Sequence, residues 1–208
     1  MHITNIKVRN FRILQDSEMD FDTNLCLLLG RNNTGKTSFM VVMEKFLKTR
    51  DFDFNDFSIF LRNELLGFNE NTVVNKLAIQ LILSIEYKES DDLCNISDFL
   101  LDLDPNCKTI NLLFECSIRK DKLVESLKSI GSMQKEKYIV NNIKQFLQYK
   151  VFAFDSMEDL KTENRYKLIE KDFKDVEKLI DFEIIHAKRN VASSEEKTGI
   201  KVLSKLTT

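Results

Sequence analysis

The feature that most constrains the fold of this chain is residues 30–37, G-R-N-N-T-G-K-T, which match the phosphate-loop pattern GxxxxGK[ST]. The chain has only 5 glycines, and Gly30 and Gly35 occupy the two positions where that pattern requires glycine. A chance match is expected in about 1% of chains of this length. The apolar run at residues 25–29, L-C-L-L-L, predicts a parallel strand buried on both faces. A helix is predicted after the loop, where apolar residues recur at helical spacing: Phe39, Val42, Met43, Phe46 and Leu47.

The loop pattern predicts a site for a nucleoside triphosphate with Mg²⁺. Because a helix leaves its first amides unpaired, the backbone N–H groups of residues 33–37 are expected to point at the β-phosphate. Lys36 is expected to reach the β- and γ-phosphates and is the candidate catalytic residue, and the Thr37 hydroxyl is the candidate Mg²⁺ ligand. The alternative is a glycine-rich turn without a ligand. The candidate ATP-binding residues of the loop are Gly30, Asn32, Asn33, Thr34, Gly35, Lys36, Thr37 and Ser38.

Composition predicts an ordinary globular protein in the cytoplasm. With 208 residues, 43% hydrophobic residues, 31% charged residues and a net charge of −2, the chain can form one core or a core with a smaller lobe. It has neither an apolar run of about 18 residues nor a signal-peptide pattern at its start, which argues against a membrane segment. Its 4 cysteines form no CxxC pair, so we interpret them as reduced thiols.

Hydrophobic patterning predicts the elements around the loop. Residues 3–14 form a first strand, with residues 19–22 as its hairpin partner, and the loop helix extends to about residue 48. The phenylalanine-rich residues 52–60 are interpreted as a connector packed on the sheet, in preference to a platform on which bases stack. Strict alternation at residues 77–87 and 110–118 predicts two antiparallel strands, each with one buried and one solvated face.

The remaining elements are predicted with weaker patterns. Asp121 is the expected N-cap of a helix that ends with Gly131 at its C′ position. Further helices are expected around residues 97–103, 139–147, 166–180 and 199–206, and further strands at residues 151–154 and 182–186.

Two segments together carry a family resemblance. Residues 6–12, I-K-V-R-N-F-R, and residues 30–39, G-R-N-N-T-G-K-T-S-F, resemble the start of the SMC/RecF-like branch of ABC-type ATPases. Within that branch, N-N-x-G-K-[ST]-S is most similar to the OLD-family ATP-dependent endonucleases, which include anti-phage proteins. A weaker similarity lies at residues 185–191. The resemblance implies an α/β P-loop NTPase fold, with an ABC-ATPase-head-like mixed sheet, an antiparallel β lobe and a helical lobe. Residues 1–208 would be the N-terminal part of such an ATPase domain, incomplete at its C-terminus.

The resemblance also implies roles and partners. Arg12 would lie beside the nucleotide, although a salt-bridged surface arginine is an equally good interpretation, and Arg189 would face the site or end a solvated strand. ATP binding and hydrolysis would be coupled to DNA engagement or cleavage, in repair or phage defence. Two heads would dimerise around ATP, and DNA would be bound through the full-length protein.

Part of the expected machinery is missing from the sequence. No LSGG-like signature is present, and the nearest match to a Walker B strand, residues 151–155, has Ser156 where the catalytic glutamate belongs. Asp155 is therefore a weak candidate for the Mg²⁺ aspartate, and the chain alone is expected to bind ATP but hydrolyse it poorly. Two alternatives stay open: a P-loop small-molecule or nucleotide kinase, and a nucleotide-binding module without turnover.

Overall fold

A six-stranded sheet forms the centre of the computed structural model, which describes residues 1–22, 25–69, 72, 77–88, 90–91, 94, 96–101, 107–131 and 134–184. The strands follow the order β2-β1-β3-β4-β5-β6, and each neighbouring pair is antiparallel. The strands are β1 (His2–Phe11), β2 (Leu14–Asp20), β3 (Ile79–Glu86), β4 (Thr109–Ile118), β5 (Leu147–Phe154) and β6 (Ile169–Lys171).

Helices and short turns cover one face of the sheet and enclose the larger core with it. The helices are α1 (Lys36–Glu44), α2 (Ile59–Leu66), α3 (Lys120–Lys128), α4 (Lys135–Asn142) and α5 (Phe173–Leu179). A π-helical turn, Lys45–Thr49, extends α1. The 3₁₀ turns are Phe54–Asp56, Ser97–Phe99, Ile143–Phe146, Met157–Leu160 and Thr162–Lys167.

The predicted strand pairs around β1 and β3 are confirmed. The predicted hairpin exists as β1 and β2, which pair Ile6 with Met19. Its bounds differ from the prediction, because β1 ends at Phe11 and the partner strand is Leu14–Asp20 in place of residues 19–22. The two alternating segments are β3 and β4, which pair antiparallel with Leu81 opposite Phe114. The predicted α/β class with an antiparallel lobe is therefore confirmed.

The prediction that one face of β3 and β4 is solvated is wrong. Ile82 and Leu113, which point away from the larger core, are both 0% exposed and form a second core with Phe154. Leu160 and Leu168, which belong to the segment after β5, pack against this cluster. Alternation along a strand shows that its faces differ, but it cannot show that a distant segment covers the more polar face.

The predicted parallel strand at residues 25–29 is also wrong. The segment forms no strand, and Leu25, Leu27 and Leu29 are 79%, 71% and 81% exposed. A strand needs neighbours that pair with its backbone, and no described segment pairs with this one. The strand that would make the sheet mixed is thus missing from the described part of the chain.

Three predicted helix boundaries need correction. Arg119 is the N-cap of α3 and Ser129 its C-cap, so Asp121 lies within the first turn and Gly131 beyond the end. The single helix predicted over residues 166–180 is instead a 3₁₀ turn, β6 and α5. Asp172 interrupts it, because this residue is extended and its side chain accepts a hydrogen bond from the Lys174 amide as the N-cap of α5.

Several predictions fall at or beyond the limits of description. Residues 182–184 form no strand, and the rest of that predicted strand lies outside the described residues, as do Arg189, residues 185–191 and the helix predicted at residues 199–206. The helix predicted near residue 97 is the 3₁₀ turn Ser97–Phe99, followed by undescribed positions.

The phenylalanine-rich connector packs into the larger core, as predicted. Phe52 and Phe57 are 0% exposed and Phe54 is 8% exposed, whereas Phe60, on α2, is 62% exposed. The rings of Phe46 and Phe52 lie 4.7 Å apart and join the connector to the end of the loop helix. Three of the four side chains are therefore unavailable for stacking on a base.

None of the four cysteines forms a disulfide; Cys116 is buried and the other three are exposed. None of the helices that the structure describes is long and apolar enough to span a membrane.

Candidate functional site

A cleft of about 650 Å³ lies where the turn between β1 and β2 faces the N-terminus of α1. Nearly every site residue predicted from the sequence lies on its wall, and Gly30 is adjacent, close to the Lys36 side chain. Ile13 joins them without having been predicted. The lining residues are Arg12, Ile13, Asn32, Asn33, Thr34, Gly35, Lys36, Thr37 and Ser38.

The backbone of the loop adopts conformations that expose the amides at the start of α1. Asn33 and Gly35 have positive φ angles of 62° and 94°. Gly35 is the N-cap of α1 and has no side chain to cap it, and the first turn contains no acidic residue. The amides of the first turn are therefore free of a side-chain cap and suited to an anion.

Gly35 is required by both conformation and space. L-residues other than Asn and Asp rarely adopt a φ of this sign. A Cβ atom on Gly35 would also lie 2.7 Å from Cδ2 of Leu14 and 3.3 Å from Cγ2 of Ile13. The close approach of the β1–β2 hairpin to the loop, which forms the cleft, therefore depends on this glycine.

Lys36 is held inside the loop by the loop's own carbonyl groups. Its Nζ donates to the carbonyl oxygen of Gly30 at 2.5 Å and to that of Arg31, and it lies 3.4 Å from Oγ1 of Thr34. These acceptors are neutral, whereas phosphate oxygens are charged and form stronger hydrogen bonds with an ammonium group. The lysine is thus placed where an incoming phosphate can compete for its protons.

Arg12 combines the two interpretations that the sequence left open. Its Nε and Nη2 donate to Oδ1 of Asp56 at 3.0 and 2.8 Å, so it forms an ion pair. Its side chain is nevertheless 39% exposed and lines the cleft. Arg12 has a positive φ of 51° in the β1–β2 turn, which directs this corner of the hairpin toward the loop.

Sequence reasoning missed Asp56. The signal was present, because Asp53 and Asp56 have the spacing of a capping box, and the structure shows both of its reciprocal hydrogen bonds.

The residues present suit a metal that arrives with a nucleotide. Thr37 presents an exposed hydroxyl at the cleft, and the described residues include no cluster of three or more potential His, Cys, Asp or Glu ligands. Mg²⁺ commonly keeps several waters and binds one or two protein groups together with substrate phosphates. One hydroxyl beside a phosphate site is consistent with that pattern.

Asp155 is wrongly placed for a role at this cleft. It follows β5, and the pairs Asn111–Phe154, Ser84–Asn111 and Asn5–Ser84 place that strand end beside the start of β1. The cleft lies at the other end of β1, about 20 Å away at the rise of an extended strand. No Asp or Glu is among the described residues that line the cleft.

The loop, the helix that follows it and the cleft define a P-loop ATPase-type protein. The family model that matches residues 1–208 is described as an AAA ATPase domain. The chain therefore belongs to the AAA ATPase domain family, a class that binds and hydrolyses ATP. No curated protein matches the chain significantly.

A similar solved structure comes from work on ATP-driven dimerization and DNA-stimulated activation of SMC ATPases. The two share 9% sequence identity with a TM-score of 0.36, and the match covers 64% of this chain and 80% of the other. Because the TM-score is low, the assignment to the family depends on the sequence match.

Proposed function

We propose that this chain is the ATP-binding part of an ATPase head of the OLD/RecF/SMC type. In this proposal Lys36 contacts the β- and γ-phosphates, the amides at the start of α1 surround the β-phosphate, and Thr37 ligates the accompanying Mg²⁺. Arg12 contacts the phosphates from the opposite wall. The observation that carries the proposal is the cleft itself, where these groups converge on one polar space.

The charges at the cleft favour a polyphosphate. Lys36 and Arg12 supply two cations, and the described lining residues supply no carboxylate that would repel an anion. Ile13 adds an exposed apolar side chain, 60% accessible, beside the loop. A ligand with a charged phosphate chain and a less polar remainder matches this combination.

ATP binding is tested by calorimetry on the 208-residue chain with ATP and Mg²⁺. Lys36→Ala is expected to weaken binding about tenfold or more, because it removes a charge-assisted contact worth about 1.5–3 kcal/mol. Lys122→Ala is the matched control, since Lys122 is exposed on α3 outside the cleft lining. Equal affinities of Lys36→Ala and the unaltered chain, or no uptake by either, would contradict the proposal.

A second candidate, nucleotide binding without turnover by this chain alone, has a specific observation in its favour. Phosphoryl transfer to water needs a group that orients the attacking water, commonly a carboxylate or an amide. The described cleft lining includes no carboxylate, and Asp155 lies at the other end of the sheet. Measuring ATP turnover with and without added C-terminal sequence separates the two, because an ATPase head should gain turnover and a pure binding module should not.

The resemblance of residues 6–12 and 30–39 to the SMC/RecF/OLD branch supports the rest of the proposal. We place the protein in the cytoplasm, with ATP-dependent pairing of two heads and engagement or cleavage of DNA by the full-length protein, in repair or phage defence. Sedimentation of the chain with and without ATP tests the pairing: an ATP-dependent dimer is expected, and a monomer in both conditions would contradict it.

A further inference from the structure

Asp56 lies buried behind the cleft, with 1% of its surface exposed. Its Oδ1 accepts both hydrogen bonds from Arg12, and its Oδ2 accepts from Nζ of Lys45 at 2.7 Å and from the amide of Asp53 at 3.0 Å. A buried carboxylate is stable only when its oxygens are bonded and its charge is compensated. Asp56 meets both conditions through partners on different elements, of which Arg12 lines the cleft.

Backbone contacts fasten the Asp56 segment to the end of β1. The amide of Arg12 donates to the Asp56 carbonyl at 2.8 Å, and the amide of Ser58 donates to the Asn10 carbonyl at 2.9 Å. Phe57 forms an antiparallel bridge with Phe11 between these two bonds. The backbone and the side chain of Arg12 are therefore both fixed by the same residue.

The two cations on Asp56 come from two different elements, and Arg12 is the one that lines the cleft. Arg12 lies in the β1–β2 turn, and Lys45 directly follows α1, the helix that begins at the phosphate loop. Because Asp56 has a second cationic partner in Lys45, Arg12 does not compensate its charge alone. Asp56 thus fixes an arginine at the site without neutralising it.

We propose that Asp56 is a positioning residue for nucleotide binding, which holds the Arg12 guanidinium at the phosphate loop while Arg12 itself contacts the phosphates. The proposal deepens the proposed function of this cleft and rests on it. A guanidinium has five N–H donors, and its bonds to Asp56 use only part of them. Fixing the long side chain beforehand reduces the conformational entropy that Arg12 would otherwise lose when the nucleotide binds.

The experiment compares Arg12→Ala, Asp56→Asn and the double variant for ATP–Mg²⁺ affinity by calorimetry, with thermal unfolding measured for each. The matched control is Asp159→Asn. Asp159 is also buried, at 6% exposed, and its Oδ2 also accepts from the N-cap amide of a 3₁₀ turn at 3.0 Å, but it follows β5 at the other end of the sheet.

Arg12→Ala and Asp56→Asn are each expected to weaken ATP binding about tenfold, as for the loss of one charge-assisted contact. The double variant should bind no more weakly than Arg12→Ala, because Asp56 acts through Arg12. Asp159→Asn should lower the unfolding temperature without changing affinity. A purely structural role would instead give losses that add in the double variant.

Three outcomes would overturn the proposal. Asp56→Asn with unaltered affinity beside a weakened Arg12→Ala would reject the positioning role and leave the proposed function standing. Additive losses in the double variant would do the same. No ATP binding by the unaltered chain would reject both the proposed function and the inference that rests on it.

The unaltered chain offers a second measurement if Asp56→Asn does not fold. The ¹⁵N signal of Arg12 Nε–H, assigned with Arg12→Lys, is expected to exchange slowly with water because the group donates to Asp56, and to shift when ATP is added. A rapidly exchanging signal that does not respond to ATP would overturn the proposal.

Discussion

The centre of the sheet and the cleft are stabilised in different ways. Other segments cover both faces of β3 and β4. Even a polar residue there, Glu115, is only 5% exposed and accepts hydrogen bonds from Gln80 and Arg165. At the cleft, the loop has exposed residues, positive φ angles and helix amides without a side-chain cap. Glu115 in the centre of the sheet bonds to protein partners, whereas the cleft leaves groups for a ligand. Substitutions in the first region should therefore affect folding, and those in the second should mainly affect binding.

Truncating the sheet core is expected to have the largest effect on stability. Phe114 on β4 is 0% exposed, and its ring lies 6.0 Å from that of Phe46 and 6.3 Å from that of Phe173. Phe114→Ala should lower the free energy of unfolding by about 3–5 kcal/mol, because it leaves a cavity. Urea unfolding followed by circular dichroism measures this, with exposed Phe60→Ala as the control. Equal losses of unfolding free energy for Phe114→Ala and Phe60→Ala would contradict this prediction.

Gly35→Ala tests the point where the two regions meet. The φ of 94° and the contact with Leu14 should together destabilise the fold by about 1–3 kcal/mol, and ATP binding should fall because the start of α1 is displaced. Gly131→Ala is the control, since a Cβ there has no atom within 4 Å and the residue lies outside the cleft lining. Comparable behaviour of the two alanine variants would show that the hairpin can move away at little cost.

Asp159, which follows β5 outside the cleft lining, is expected to make the free energy of unfolding depend on pH. Its hydrogen bond from the Ser156 amide, helped by Lys167, lowers the pKa of this carboxyl below its ordinary value. A carboxyl with a lowered pKa in the folded state stabilises the protein above its unfolded pKa, and this contribution is lost as the pH falls through the folded value. Unfolding at pH 7 and pH 3 should therefore show a smaller acid-induced loss for Asp159→Asn than for the unaltered chain. If the acid-induced loss of stability were the same for both proteins, Asp159 would not contribute to the pH dependence.

The smallest effect is expected in the segment before the loop. Leu27, 71% exposed, buries little surface, so Leu27→Ser should change the free energy of unfolding by no more than about 0.5 kcal/mol. Leu83→Ser, at a position that is 0% exposed on β3, is the control and should destabilise strongly. A large loss for Leu27→Ser would show that this segment is packed in solution, contrary to the structure.

The sequence predicted what depends on neighbouring residues along the chain. Local spacing predicts four features: the loop, the start of the helix after it, the β1–β2 pair and the β3–β4 pair. The same spacing identified the loop residues that line the cleft. It could not predict contacts between distant segments: the cover that Leu160 and Leu168 place over Ile82, or the pairing of Asp56 with Arg12, which is 44 positions away. The apolar run at residues 25–29 failed for a related reason, because hydrophobicity indicates that a segment tends to be buried but not which segment pairs with it.

The exposed leucines before the loop also affect the solubility of the chain. Leu25, Leu27 and Leu29 are exposed at alternate positions of a segment that forms no strand, so they leave apolar surface beside backbone groups that no described strand pairs. Such surfaces promote sheet-like self-association, and the exposed Cys26 within this one adds a thiol open to oxidation. Preparations of the 208-residue chain should therefore lose solubility as concentration rises, and reductant should slow covalent cross-linking without preventing that loss.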